Sequence, residues 1–314
     1  MKKHYLPFEK PLKDLDIEIE KLISNDPESE NIKILDDKRT EIEKEIFKDL
    51  SPWETVQLAR HPNRPYTLDY INKWCENFTE LHGDKAYSDD SAVVAGIGII
   101  EGVKLAIIGQ QKGRNTKENI QRNFGMMKPE GYRKALRVMK LAEKFNLPIV
   151  TLIDTPGADP GIGAEERGQG YAIAKNLFEM ASIETQILSV VIGEGASGGA
   201  LGIGLCDKMI MLEHTWFSVI SPEGCASILW KDSTKAPEAA DSLKLTPKDL
   251  MEHNICNSIV YEPSGGAHRH FDETADILKD AILVEIKSMQ DSITKNYLDL
   301  RVERYDKLGV FRED

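Results

Sequence analysis

Eight consecutive residues carry the clearest chemical signal in the chain, Gly193-Glu194-Gly195-Ala196-Ser197-Gly198-Gly199-Ala200. They follow an apolar run from Gln186 to Ile192 and lead into a short helical stretch ending near Cys206. The first N–H groups of a helix have no intrahelical acceptor. Glycines there let a ligand oxygen come close to the backbone, because no Cβ stands in the way. Bare amides at the positive end of a helix dipole suit negative charge that develops during a reaction. Gly198 and Gly199 are the expected donors. The competing reading is that the glycines only allow a strand and a helix to pack tightly. So many small residues directly after a strand favour a site.

A second segment, Ile153 to Gly168, begins at the end of a buried strand, where α/β folds gather their ligand loops. Its glycines Gly157, Gly161 and Gly163 are candidate substrate contacts. Asp154-Thr155-Pro156-Gly157 has the look of a GTPase magnesium-side loop, but no G-x-x-x-x-G-K-[ST] precedes it. That absence removes the GTPase reading. In a third segment, Gln110-Gln111-Lys112-Gly113-Arg114, Lys112 and Arg114 are candidates to hold a carboxylate or phosphate. A plain surface turn is the alternative. With Lys117, Arg122, Lys128, Arg133 and Lys134 they form a basic zone, which suits a small anionic ligand or ordinary surface scatter equally well.

Ser197 stands before Gly198 much as the nucleophile does in Clp-type serine proteases. Such a serine needs a histidine base that is itself oriented by an acid. The segment where that histidine belongs, Ser218 to Gly224, contains none, and His214 opens a turn after a strand. Ser197 is therefore read as a neighbour of the donors. His268 and His270 lack a third ligand at useful spacing and are expected in a solvated polar loop. The cysteines Cys75, Cys206, Cys225 and Cys256 form no CxxC pair, so reduced thiols and no metal are expected of this chain.

These segments need a frame. Up to about residue 60 the chain reads as two amphipathic helices, with Leu12, Leu15, Ile19, Leu22 and Ile23, then Ile32, Leu35, Ile42 and Ile46, at helical spacing. Such a pair is expected to clasp the main domain or a partner. Tyr66 to Leu81 reads as a further helix. Val93 to Gly109 reads as a β-hairpin turning at Glu101-Gly102. A helix from Tyr132 to Phe145, a strand from Leu147 to Asp154, a helix from Glu165 to Ala181 and a strand from Gln186 to Ile192 follow. Strands at Lys208 to Leu212, Phe217 to Ile220 and Ile255 to Tyr261 come next, and helices from about Asp272 close the chain. Alternating strands and helices make an α/β protein with parallel pairing.

Composition narrows the classes. The longest apolar runs, such as Ile149 to Ile153, are strand-sized, so no membrane span is expected. Met1-Lys2-Lys3 has no apolar core behind it, so the N-terminus reads as no signal peptide and the cytoplasm is expected. A net charge of -12 argues against general nucleic-acid binding, which needs a basic surface.

The ordered set Gln111 to Arg114, Asn123 to Met126, Pro129 to Ala135, Ile153 to Gly157, Gly161 to Gly168, Gly193 to Ala200, Ser218 to Cys225 and Leu229 to Asp232 resembles one family. That family is the carboxyltransferase alpha subunit of bacterial acetyl-CoA carboxylase. The resemblance implies a crotonase-like (ClpP/crotonase) ββα superhelix. It divides the chain into a helical extension over 1–84, a carboxyltransferase core over 85–262, and C-terminal helices over 263–314 that pack on core or partner.

It also implies a reaction: carboxyl transfer from carboxybiotin, carried by the biotin carboxyl carrier protein, to acetyl-CoA, giving malonyl-CoA for fatty acid synthesis. Biotin is not attached to this chain, and coenzyme A arrives as part of the substrate. Amides at Gly198 and Gly199 would face the biotin ureido oxygen. Arg133, in Gly131-Tyr132-Arg133, would stand near the active site. A beta subunit would hold the family's zinc and a second oxyanion site, in a heterotetramer of two alpha and two beta chains that works with biotin carboxylase. The rival reading on the same fold is a stand-alone acyl-CoA hydratase or decarboxylase, for which Glu194 is the only evident catalytic carboxylate. Two residues depart from the family pattern: Ala196 stands for a glycine, and Asp159 for an aromatic residue.

Overall fold

The computed structural model describes residues 4–291 and 296–309. Two helices in mutual contact come first, α1 (Lys10–Asn25) and α2 (Glu30–Lys48), followed by α3 (Pro52–Ala59) and α4 (Thr67–Trp74). Ser51 caps α3 through a reciprocal box with Glu54, and Pro52 sits at its first position, where a missing N–H costs nothing. Leu12 of α1, Phe47 of α2 and Leu58 of α3 share one small core. That core takes in only part of the apolar stripe: Ile23, near the far end of α1, stays 47% exposed and Ile34 of α2 63% exposed.

The sheet begins with β1 (Phe78–Glu80), β2 (Val93–Ile100) and β3 (Val103–Gln110). The hairpin between β2 and β3 turns as read from sequence, with φ of 47° at Glu101 and 79° at Gly102, the signature of a type I′ turn. The expected helix over Tyr66 to Leu81 is corrected: it stops at Trp74, and Phe78–Glu80 becomes an edge strand. That strand pairs with Gly96 to Gly98, where bare glycines admit it; a Cβ on Gly96 would lie 2.3 Å from the Thr79 carbonyl oxygen. Local helix propensity gives way to an open sheet edge.

After α5 (Thr116–Gln121) and α6 (Pro129–Lys144) come β4 (Ile149–Thr155), α7 (Ile162–Glu166), α8 (Gln169–Ala181), β5 (Ile187–Ala196) and α9 (Ser197–Gly204). The single helix expected from Glu165 to Ala181 is two, broken at Gly168, which takes φ of 80°. β6 (Lys208–Leu212), β7 (Trp216–Ser218), α10 (Pro222–Trp230), α11 (Ala236–Leu243) and α12 (Pro247–Glu252) follow. β8 (Ser258–Val260), α13 (Phe271–Asp291) and α14 (Tyr297–Asp306) complete the described chain.

The strands run in the order β1-β2-β3-β4-β5-β6-β8, with β7 also on β5. Pairing is antiparallel through β3 and parallel beyond it. Both faces are covered, as parallel sheets require. One face, with Ala106, Ile108, Ile153 and Val191, packs on Val138 and Met139 of α6 and Met180 of α8. The other, with Ile107, Leu152, Val190 and Ile210, packs on Tyr70 and Trp74 of α4 and on Leu278, Ile282 and Ile286 of α13. Alternate residues of each strand thus enter different cores. No described helix is long and apolar enough to cross a membrane.

Candidate active site at the end of β5

β5 is buried along its whole length and runs further than the sequence pattern suggested, taking Gly193 to Ala196 into the strand. Ala196 is extended, Ser197 swings to φ 57°, and α9 begins at once. No side chain caps α9, so its first amides are left for something else. Ser197 is exposed, Gly198 half-buried and Gly199 buried.

The two expected donors have different surroundings. A Cβ on Gly198 would meet only the Ile173 side chain, at an ordinary 3.5 Å. Gly199 instead lies against the backbone of Gly157 and Ala158, and its carbonyl accepts from Gln110 Nε2 at 2.8 Å. Gly157 has open space where a side chain would stand, with nothing within 4 Å. Its loop is braced by Thr155, whose hydroxyl donates to the Gly157 carbonyl at 2.7 Å. Gly161 donates to the Asp159 carboxylate at 2.9 Å, and a Cβ on Gly163 would meet Arg167 Nη1 at 3.1 Å. Asp159, one of the departures from the family pattern, is thus engaged within its own loop.

Beneath the turn lies a chain of charges. Lys112, expected to greet a ligand anion, points inward: its Nζ donates to Asp154 Oδ1 at 2.6 Å and Glu194 Oε1 at 2.8 Å. Glu194 Oε2 takes Arg60 Nε at 2.6 Å, and Arg60 Nη1 reaches Glu223 at 2.5 Å. Burial alone would lower the Lys112 ammonium, yet Asp154 and Glu194 outweigh it and raise its pKa. Burial would raise the Glu194 carboxyl, but Lys112 and Arg60 hold it below its ordinary value. Both groups are therefore ionised around neutral pH.

Arg114 and Arg133 also have partners within the chain. Arg114 is bonded to Asp69 and to the Arg64 carbonyl, with its guanidinium 4.0 Å from the Tyr66 ring centroid. Arg133 Nε donates to Asp84 at 2.7 Å. It lines a cavity of about 220 Å³ with Arg137, Lys175 and Tyr171. Arg60 and Gln110 were missed from sequence. Gln110 at the end of β3 had its place in the third segment as a clue; Arg60, 134 positions from Glu194, had none.

The expectation of a solvated loop around His268 is overturned. The His268 side chain is only 2% exposed, with its ring 4.1 Å from that of His61 and its Nε2 3.3 Å from Glu9 Oε1. Ligand atoms of Glu9, His61 and His268 lie within 4.8 Å of one another. They are already engaged, however. His61 Nδ1 accepts from the Asn63 N–H, its Nε2 meets the His4 carbonyl, and Arg269 places a positive charge on Glu9 Oε1 at 2.8 Å. The cluster reads as a clasp between the two ends of the chain.

Residues 5–309 match the family described as acetyl co-enzyme A carboxylase carboxyltransferase-like. The chain belongs to this family. It is 52% identical over 316 residues, 99% of each chain, to the acetyl-coenzyme A carboxylase carboxyl transferase subunit alpha of Xanthomonas campestris pv. campestris strain B100. The subunit of the same name from Flavobacterium johnsoniae is 49% identical over 315 residues, covering 98% of this chain and 99% of that one. Among solved structures, transcarboxylase 12S superposes with a TM-score of 0.55 at 18% identity, over 70% of this chain and 44% of that one. The beta subunit of P. aeruginosa geranyl-CoA carboxylase gives 0.53 at 18% identity, over 72% and 42%. Membership of the acetyl-CoA carboxylase carboxyltransferase family makes the chain an enzyme, and the superpositions make its fold the crotonase-like one. This chain spans less than half the length of those structures.

Proposed function

We propose that this chain supplies the carboxybiotin half of an acetyl-CoA carboxylase carboxyltransferase. The carboxyl group leaves the ureido nitrogen of carboxybiotin, delivered by a carrier protein that biotin carboxylase has charged. It forms a new carbon–carbon bond to the methyl carbon of acetyl-CoA, and the methyl proton passes to the biotin nitrogen. The products are malonyl-CoA and free biotin on its carrier, and the expected compartment is the cytoplasm. A beta chain completes the site, with zinc and the enolate-stabilising half on its side.

One observation carries this reading: the uncapped first turn of α9, at the exposed Ser197-Gly198 elbow, facing the open Gly157 loop. Negative charge grows on the ureido oxygen as the N–C bond breaks, and preorganised amides stabilise growing charge without reorganisation. Open space beside Gly157 fits an approaching oxygen, and at Gly198 no side chain stands in its way. Arg133, Arg114, Gly161 and Gly163 stay as substrate-side candidates in this reading, whereas Lys112 braces the strand end from beneath through Asp154 and Glu194.

The rival hydratase or decarboxylase needs a carboxylate free to exchange protons. Glu194 is buried, ionised and held on both oxygens, which speaks against that role. The test is malonyl-CoA formation by the purified alpha chain, the beta chain, and both together, with carboxylated carrier as donor. Only the mixture should turn over, and Gly198→Val should silence it with assembly intact. Turnover by the alpha chain alone, or full activity in Gly198→Val, overturns the reading.

A further inference from the structure

We propose that Glu194 is a positioning residue for transfer, holding the amide elbow in place through Arg60, Lys112 and Asp154. The inference rests on the elbow being the charge-stabilising site.

The backbone shows why such a device is needed. β5 pairs with β6 over Leu188 to Val191, then with β7 over Glu194 to Ala196. On its other side the register with β4 shifts between Ile153 and Thr155. The ladder therefore breaks at Ile192 and Gly193, where β5 changes partner, and resumes over Glu194 to Ala196. Side chains add ties beside that break. The Glu194 N–H donates to Asp154 Oδ1 at 3.0 Å, the same oxygen that accepts Lys112 Nζ. The Glu194 carboxylate grips Lys112 with one oxygen and Arg60 with the other.

A second tie reaches the helix side of the elbow. The Asp154 N–H donates to Gln110 Oε1 at 3.0 Å, and Gln110 Nε2 donates to the Gly199 carbonyl at 2.8 Å. Ser197 and Gly198 are thus bracketed, with Glu194 tied three residues before the elbow and Gly199 tied just after it. Both ties converge on Asp154. Arg60 extends the chain to Glu223 at the start of α10, so the N-terminal extension takes part in holding the site. Amide donors act on developing charge only at close range, so a loosened bracket weakens them without removing them.

A buried ion network can also serve stability alone, and removing one partner leaves an uncompensated charge. The two roles differ in measurable ways. In the assembled alpha–beta enzyme, Glu194→Gln should lower kcat by at least about tenfold while KM for acetyl-CoA stays within about twofold. Adding Gly198→Ala should then give a combined loss smaller than the product of the two single losses, because both act on the same donors. Arg60→Lys, altered at the partly exposed end, serves as a second variant: it keeps the charge and should lose less kcat than Arg60→Ala. Circular dichroism and thermal unfolding give the folded fraction to which every rate is normalised.

Unchanged kcat in Glu194→Gln and Arg60→Ala, multiplicative losses in the double variant, or losses that follow the unfolded fraction would each overturn the proposal. An inactive Gly198→Val beside a fully active Glu194→Gln sinks this inference and leaves the elbow. An active Gly198→Val sinks the elbow itself.

Discussion

Gly199 and Gly157 meet backbone to backbone: a Cβ on Gly199 would stand 2.3 Å from the Gly157 carbonyl carbon. The first turn of α9 is pressed directly onto the loop after β4. Of the two glycines at the start of α9, one serves packing as well as any ligand, and the other leaves room for a Cβ, which would meet only Ile173 at 3.5 Å.

Gly199→Ala should therefore destabilise the chain by about 1–3 kcal/mol, the usual cost of overpacking. Gly198→Ala should be neutral or gain up to about 1 kcal/mol, since alanine is the better helix former. Urea unfolding of the two variants measures this split. Equal stabilities would remove the assigned division of labour.

Ser197 holds φ of 57°, a conformation that costs a non-glycine residue about 1–2 kcal/mol. Ser197→Gly should raise the unfolding midpoint and keep transfer within about an order of magnitude, because among the described residues no histidine stands in the segment Ser218 to Gly224 to activate its hydroxyl. A loss comparable to that of a deleted nucleophile would restore the serine to the chemistry.

Acid should loosen the clasp between the chain's ends. Burial, the main cause, drops His61 from 6.5 to about 3, and His214 and His268 are lowered in the same direction. Below its ordinary pKa the unfolded chain binds a proton at His61 that the folded chain refuses, so stability falls as pH drops from 6.5 toward 3. Glu262 and Glu9 act lower down. Burial pushes both up, but Arg64 on Glu262 and the hydrogen bonds to Glu9 from His268, Leu6 and Arg269 prevail and hold each at about 2. Their contribution is present above about 4.5 and is lost toward 2. Unfolding free energy measured from pH 6 to 5 should fall less steeply in His61→Phe, by up to about 1.4 kcal/mol per pH unit. Parallel slopes would contradict the assignment.

Arg133, in its cavity with Arg137 and Lys175, tests the reach of the acyl-CoA substrate. If its guanidinium meets a substrate anion, Arg133→Ala should raise KM for acetyl-CoA by about tenfold or more, the value of one charged hydrogen bond, with kcat preserved. Unchanged kinetics would confine Arg133 to its pairing with Asp84.

Much of this molecule was legible in one dimension. The hairpin at Glu101-Gly102, the strand over Lys208 to Leu212 and the glycine turn after β5 all rest on contacts within a few residues, where spacing and side-chain shape act directly. The motif order from Gln111 to Asp232 carried the family reading for the same reason, since each motif is local. What the tertiary structure decided is the company each charge keeps. Lys112 finds its carboxylates 42 and 82 residues away, Arg60 finds Glu194 134 away, and His268 finds Glu9 259 away. No periodicity encodes such distances. The Lys112 pairs follow from the fold bringing β3, β4 and β5 side by side, and the other two from the N-terminal extension folding back onto β5 and onto the segment before α13. Burial then makes an unpaired charge too costly to leave unmatched.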